Sequence, residues 1–377
     1  MNVVILNTNS FGGNYEYSRC LVKSYVANNQ VKSCQVLMPI NALQEENELF
    51  KKVLISDISP FGNKIFKKIY FLFRSIINPF RSFRYLQKCA PALVIFNDYE
   101  QISSPVWIPL FRLLKKKHQF TVILHDPDRD DYLPMKVFSV YTMDKVMSLM
   151  DSLLYHEVLP DRVYYKRNIP KIKVPHGIYR YESYDRACLE FLEQQKGSDF
   201  LIGILGNIRE EKNYDLVIEA LASLNQVKLL IAGNESSSKV SIDKYKKQIK
   251  DRNIGNKVIW LQRYLTDEEF QSAIKSCDLI LLYYKSSFTS QSGVLNLIAS
   301  HKKNILVSDV PSALRETVQA FEMGNIVPLS VEALTDSLNQ IIHNKQLDYS
   351  NAWEAYIKYA SWDNHVAIVL NKLNKGN

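Results

Sequence analysis

The stretch Phe200–Leu224 reads F-L-I-G-I-L-G-N-I-R-E-E-K-N-Y-D-L-V-I-E-A-L-A-S-L, and its three parts decide the fold. Phe200–Leu205 is a short apolar run without polar alternation, the pattern of a strand buried on both faces. Gly206 ends it, a polar segment follows, and Leu216, Val217, Ala220 and Leu221 then recur at helical spacing. Strand, glycine turn and helix make one βα unit, which on repetition builds a parallel sheet covered by helices. Arg209 and Lys212 fall beyond the carboxyl end of the strand and before the helix. In open α/β sheets that crevice receives ligands, and two cations about one helical turn apart can converge on a diphosphate. Glu210 and Glu211 adjoin them, so the residues by themselves also fit a solvated charge cluster.

The same pattern continues outward in both directions. Downstream, Val227–Ala232, Val258–Leu261, Leu279–Tyr283, Ile305–Val307 and Ile326–Val327 read as strands. Helices fall between them, one of them, Asp267–Lys275, introduced by Thr266 as N-cap. Upstream, Val3–Leu6 is followed by Asn7, Asn9, Ser10, Gly12 and Gly13 and then a helical pattern over Tyr17–Val26, which opens a second such array. Its further strands are Cys34–Met38, Leu93–Phe96, Thr121–Leu124 and Ser152–Tyr155. The spacing predicts two α/β domains in tandem with a cleft between them, divided between His176 and Ser198 by a charged helical connector. The expected domains are residues 1–177, 178–350 and a C-terminal helix over 351–377, roughly Asn351–Leu373, that packs back on the first domain.

A chain of 377 residues, 46% hydrophobic and 23% charged, suits two globular domains rather than a disordered or fibrous protein. Five scattered cysteines without a C-x-x-C pair suit reduced thiols better than disulfides or zinc. The opening M-N-V-V-I-L-N-T-N reads as a buried strand rather than a leader, and no apolar run of membrane-spanning length occurs. The net charge of +8 is uneven: residues 1–177 hold 24 Lys and Arg against 15 Asp and Glu. The densest part is Lys64–Lys88, with seven basic residues and no acid between Asp57 and Asp98. Interleaved with Phe66, Ile69, Phe71, Leu72, Phe73 and Ile76, these charges describe either a helix on an anionic membrane surface or a domain helix with a solvated basic face. No nucleic-acid recognition motif accompanies them.

No G-x-G-x-x-G, P-loop, G-x-S-x-G or H-E-x-x-H occurs, which excludes the commonest dehydrogenase, kinase, esterase and zinc-protease motifs. A second candidate element is S-S-F-T-S-Q-S-G-V-L-N, Ser286–Asn296, before the helix starting near Gly293. Hydroxyls and free N–H groups at a helix start suit an anion, and ordinary capping by Ser290 or Ser292 is the alternative. His125 and the acids Asp126, Asp128, Asp130 and Asp131 include a D-x-D, which invites a metal reading that would leave the C-terminal phosphate elements without a purpose.

The ordered stretches resemble the family-4 retaining glycosyltransferases of GT-B fold. In the second half they are L-G-N-I-R-E-E-K-N-Y-D-L-V-I-E-A-L, L-L-I-A-G-N, V-I-W-L-Q-R-Y-L-T-D-E-E-F, C-D-L-I-L-L-Y-Y, Q-S-G-V-L-N-L-I-A-S and N-I-L-V-S-D-V-P-S-A-L-R-E-T-V. In the first half S-F-G-G, V-I-L-H-D-P and V-P-H-G match more loosely, and Y-A-S-W is similar to the closing helix. The resemblance implies an α/β GT-B-like chain of two Rossmann-like domains facing a cleft. It implies Arg209 and Lys212 on the donor diphosphate and His125 beside the transferring sugar as the catalytic set. It implies donor contacts from Gly12, Gly13, Asp126, Asn207, Gln262, Arg263, Tyr264, Gln291, Ser292, Gly293 and Val294. No metal or cofactor is expected besides the nucleotide-diphosphate sugar substrate. The expected acceptor is a saccharide, lipid-linked in bacterial surface polysaccharide synthesis, which places the protein in the cytoplasm at the inner face of the cell membrane. His176 is expected to be structural.

One departure stands out. The family's paired glutamates, E-x7-E, would fall near Thr289 and Leu297, and no Asp or Glu occurs between Asp278 and Asp309. The ribose contact is then expected to pass to another residue, Asn296. The missing acids also permit a non-catalytic sugar-nucleotide-binding or scaffold subunit. A periplasmic-type binding protein is a third class, disfavoured by the opening strand.

Overall fold

The computed structural model describes residues 1–235, 242–343 and 348–374. In chain order the first elements are β1 (Asn2–Leu6), α1 (Gly13–Ala27), β2 (Ser33–Pro39), β3 (Phe50–Leu54), α2 (Lys64–Lys88) and β4 (Leu93–Phe96). They continue with α3 (Ser104–Arg112), β5 (Gln119–Leu124), α4 (Lys136–Leu149), β6 (Ser152–Tyr155) and β7 (Lys171–Lys173). Next come α5 (Arg186–Lys196), β8 (Phe200–Leu205), α6 (Tyr214–Ser223), β9 (Val227–Ala232), α7 (Ile242–Asp251), β10 (Val258–Leu261) and α8 (Asp267–Ser276). The last are β11 (Leu279–Leu282), α9 (Gly293–Ile298), β12 (Asn304–Ser308), α10 (Ala313–Phe321), β13 (Asn325–Val327), α11 (Val331–His343), α12 (Ser350–Tyr359) and α13 (Trp362–Asn374).

The chain forms two compact units, Met1–Gly177 with Ala360–Asn377, and Ile178–Tyr359. The first holds a parallel sheet in the order β3-β2-β1-β4-β5-β6-β7. Successive strand residues face opposite sides, so Val4 and Leu6 join the core under α2, α3 and α4 while Val3 and Ile5 join the one under α1 and α13. The single helix expected over Asn351–Leu373 is two. α12 ends at Tyr359 within the second unit, and α13 begins at Trp362 and packs on α1. Gly177 is glycine for a visible reason: a Cβ there would lie 2.2 Å from Trp362 Cε2.

The second unit holds a parallel sheet in the order β10-β9-β8-β11-β12-β13. The charged connector becomes α5, capped by Asp185, whose carboxylate accepts the Cys188 N–H at 2.6 Å, and packed on α8. Thr266 caps α8 in a full capping box with Glu269. In each sheet the order reverses once, between β1 and β4 and between β8 and β11. There the loops after neighbouring strands leave toward opposite faces of the sheet and open a crevice at their carboxyl ends.

Candidate functional site

In the second unit both candidate elements fall on that reversal. The loop Gly206–Asn213 leaves β8, and the loop from Tyr283 to Ser292 leaves β11. They meet at Gly206, whose φ of +85° suits glycine. A Cβ added there would lie 3.3 Å from Val294 Cγ2 and 3.4 Å from Lys212 Nζ. Lys212 is buried, and its ammonium donates to the carbonyls of Leu205 at 2.5 Å and Gly206 at 2.9 Å. Burial, and secondarily the nearby charge of Arg209, lower its pKa to about 7.

Arg209 is exposed and makes no ion pair or side-chain hydrogen bond among the described residues. The adjoining acids do not neutralise it. Glu210 pairs with Lys285 Nζ at 3.0 Å, and the Glu211 carbonyl accepts the Lys285 N–H at 2.8 Å. The solvated-cluster alternative therefore fits Glu210 and Lys285 rather than Arg209. Asn207, exposed, lies between Gly206 and Arg209 on the same loop.

Ser292 occupies the cap position of α9 but caps nothing with its side chain. Its buried hydroxyl pairs with the Tyr284 hydroxyl at 3.0 Å, while Gln291 Oε1 accepts the Ser292 N–H at 3.0 Å. Gln291 Nε2 in turn donates to Thr317 Oγ1 at 2.8 Å. These bonds set the course of the loop and place Gly293 and Val294 in the first helical turn, where N–H groups have no acceptor inside the helix. α9 spans only six residues, so its dipole adds little and the positive charge here is that of Arg209 and Lys212.

Three of the expected donor contacts, Asn296, Arg263 and Gln262, hold protein partners. Asn296 is fully buried, with Oδ1 accepting from the Tyr356 hydroxyl at 2.5 Å and Nδ2 facing the Ser292 carbonyl at 3.4 Å. It braces α9 against α12 instead of presenting an amide to a ribose. Arg263 holds Glu269 through both guanidinium nitrogens at 2.5 and 2.6 Å, which anchors the α8 capping box. Gln262 accepts from Lys246 Nζ at 2.8 Å. Tyr264, 67% exposed, stands beyond the end of β10, two strands from β8.

In the first unit Gly12, with φ of +83°, precedes α1 and Gly13 is its first residue; both are exposed, and no atom outside the glycine, its chain neighbours and the helix backbone comes within 4 Å of a Cβ built on either. His125 follows β5. Its Nε2 is 2.8 Å from Asn97 Oδ1, and the Asn97 amide nitrogen donates to Asn14 O and Ser18 Oγ, both at 2.8 Å. That network assigns the proton to Nε2, and burial holds the ring well below its ordinary pKa. His125 is thus a neutral imidazole with Nδ1 as its acceptor. It belongs to a group the sequence does not reveal: His125, His156, His176 and His365 surround Tyr17, with centroids 4.6 to 5.9 Å from its ring. The His176 ring, expected to be structural, sits in that group with Nδ1 3.0 Å from the Gly177 carbonyl.

Asp126 is exposed, its carboxylate 3.9 Å from Arg129 Nε. Of the D-P-D acids, Asp126 and Asp128, the second is gripped by Arg162 at 2.6 and 3.1 Å, and Tyr164 donates to the following Asp130 at 3.1 Å. Among the described residues no group of three or more His, Cys, Asp or Glu is placed to hold a metal ion. None of their helices is long and apolar enough to cross a membrane.

Residues 190–360 match the family model of glycosyl transferases group 1. Sucrose-phosphate synthase from Thermosynechococcus elongatus superposes with a TM-score of 0.72 at 14% identity, covering 100% of this chain and 98% of that one. HepE from Anabaena in complex with UDP gives 0.68 at 14% identity, with 99% and 100% covered. The lipopolysaccharide outer core galactosyltransferase WaaB gives 0.65 at 15% identity, with 99% and 100% covered. The fold is therefore GT-B-like, with two Rossmann-like units. Among curated proteins none matches the sequence.

Proposed function

We propose that the chain transfers a hexosyl group from a nucleoside-diphosphate sugar to a saccharide acceptor, using protein cations rather than a metal. The observation that carries this reading is the convergence, where the second sheet reverses, of exposed Arg209, buried Lys212 and the turn at Gly293 and Val294. The group 1 domain match over residues 190–360 supports it. The hard step is the departure of a nucleoside diphosphate, and preorganised donors in a poorly solvated site stabilise that charge. Burial weakens the hold of Lys212 on its proton in the free protein, and a bound diphosphate restores its full charge by supplying the counter-ion.

In this mechanism the bond from the anomeric carbon to the phosphate oxygen breaks first. The acceptor hydroxyl oxygen then bonds to that carbon on the same face, and its proton passes to the departing phosphate, so configuration is retained. His125 meets the transferred sugar through Nδ1 as a hydrogen-bond acceptor. Thermal shift against UDP-, GDP- and ADP-sugars, then a transfer assay with any that stabilise, tests the reading. Stabilisation by a nucleotide sugar followed by glycosyl transfer is expected. Donor binding without transfer or hydrolysis would identify a scaffold subunit, and an inverted product anomer by NMR would reject the same-face step.

The acceptor reading rests on α2. Its first half exposes Ile65, Phe66, Ile69, Phe71, Leu72 and Phe73, each 45 to 68% exposed, among exposed Lys64, Lys67 and Lys68. No acid lies between Asp57 and Asp98 to balance them. Such a surface suits the headgroup region of an anionic membrane and hence a lipid-linked saccharide, as in bacterial surface polysaccharide synthesis at the inner face of the cell membrane. Sedimentation with phosphatidylglycerol vesicles should fall when Lys67, Lys68, Arg74 and Arg81 are neutralised, and unchanged binding would remove this part.

A further inference from the structure

The histidines around Tyr17 are bonded in a way that leaves no place for a second proton. Three of them lean on residues 174–177, after β7. His156 Nδ1 is 3.1 Å from the Val174 carbonyl, His365 Nδ1 2.9 Å from the Pro175 carbonyl, and His176 Nδ1 3.0 Å from the Gly177 carbonyl. A carbonyl only accepts, so each Nδ1 carries the hydrogen and each Nε2 of the neutral ring is an acceptor. Nε2 of His156 and Nε2 of His365 are buried and have no hydrogen-bond partner among the described residues. A proton added there becomes a buried N–H with nothing to receive it, on a ring that has also become charged.

Tyr17 meets these rings from α1, its hydroxyl 3.4 Å from His365 Nδ1. Charge on one ring opposes charge on its neighbours, and Arg129 adds a further positive charge against His125. The acids on the same elements hold partners of their own: Asp363 the Ser24 hydroxyl at 2.5 Å, Glu157 Lys173 at 2.5 Å, Glu16 Arg19 at 3.1 Å, and Asp126 Arg129 at 3.9 Å. Burial accordingly lowers His176 and His365 to about 4 and holds His125 and His156 well below the ordinary value.

Of the elements that meet here, α13 is the one able to yield. It gives no strand to the sheet, so it can lift away without breaking any strand pairing. Its apolar residues Val366, Val369, Leu370 and Leu373 hold it on the core under α1, and Trp362 lies against Gly177. His365 stands one turn after Trp362 on the same helix.

We propose that the seat of α13 on α1 and residues 174–177 is a proton-operated latch, closed while His365 and His176 are neutral and opened by mild acid while the sheet stays paired. The chain passes between the two units after Gly177 and after Tyr359, and opening the latch unties the second passage from the first unit. This device does not depend on the transferase reading.

A ring at about 4 when closed and near 6.5 when open takes up a proton on opening. The closed state is therefore favoured above about pH 6.5 and loses ground as the pH falls toward 4. From pH 7.5 to 5.5 each such ring raises the opening equilibrium about tenfold, and His365 with His176 about a hundredfold. Amide exchange followed by mass spectrometry on the full chain, corrected for the intrinsic exchange rate at each pH, reads this. Protection of α13 should fall about a hundredfold while that of β4 and β5 changes by less than about threefold. His365→Asn keeps an amide for the Pro175 carbonyl but cannot be protonated, and should leave a fall of only about tenfold. If that variant does not fold, NMR of the wild type with 13C-labelled histidine decides, because the His365 ring should be neutral wherever α13 is closed down to pH 5.5. Protection of α13 that is indifferent to pH, equal loss from β4 and β5, a full response in His365→Asn, or a charged His365 ring under a closed α13 overturns the proposal.

Discussion

Lys212 pays in stability for its buried position, and Lys212→Met should recover part of that cost. A pKa of about 7 in place of the ordinary 10.5 means that burial disfavours the ammonium by about 5 kcal/mol. Methionine removes the charge but leaves the Leu205 and Gly206 carbonyls without their donor, at about 1–3 kcal/mol for each one that stays dry. With one carbonyl left dry the net gain below pH 7 is about 2–4 kcal/mol, and with both dry it falls between a gain of about 3 and a loss of about 1 kcal/mol. Its pH dependence is the sharper test. Below pH 7 the lysine is charged both folded and unfolded, and the folded state bears the full cost. Between about pH 7 and 10.5 the unfolded chain holds a proton that the folded one has shed, so wild-type stability rises with pH. The advantage of methionine should accordingly shrink by about 2–3 kcal/mol from pH 6 to pH 9. Urea denaturation of both proteins at the two pH values measures this, with amide exchange of β8 assigning the transition to the second unit. A difference that stays constant from pH 6 to pH 9 would refute the reasoning.

Other consequences follow from the same geometry. Nucleoside-diphosphate binding should take up a proton at pH 8, because the ligand restores the Lys212 charge; titration calorimetry in two buffers of unequal ionisation enthalpy reads it directly. Arg209→Ala should lower transfer turnover by roughly 10²–10³ while leaving the unfolding midpoint nearly unchanged, since the exposed guanidinium has no internal partner among the described residues. Gly177→Ala drives a methyl into the Trp362 ring and should destabilise the first unit by about 1–3 kcal/mol, with partial recovery in the double variant carrying Trp362→Leu. Ser292→Ala removes the partner of the Tyr284 hydroxyl and should cost about 1 kcal/mol, with a weaker hold on the diphosphate.

The strands of both sheets were legible where they are buried on both faces, because a parallel strand such as Leu93–Phe96 or Leu279–Leu282 is an unbroken apolar run. β3 and β7 escaped notice because edge strands carry polar residues, F-K-K-V-L and K-I-K. The break after Tyr359 carries neither glycine nor proline, so the periodicity of α12 runs on into α13 without a stop signal. In the candidate site, the position of Arg209 and Lys212 beyond the end of a strand was readable from the sequence. Asn296 was not, because what commits it is Tyr356, sixty residues away in sequence. Asn97 could have been found, as N-D follows β4 at a sheet reversal, but the bond that makes it the orienter of His125 exists only in three dimensions.

The most direct test of the central claim is the discrimination between nucleoside diphosphates and monophosphates. Equilibrium affinities for UDP, GDP and ADP and for the matching monophosphates should show at least one pair in which the diphosphate binds about tenfold or more tightly. The Arg209→Ala, Lys212→Met double variant should bind both members of that pair alike, since only the second phosphate has lost its partners. An unchanged preference in the double variant would mean that these two cations do not hold the diphosphate.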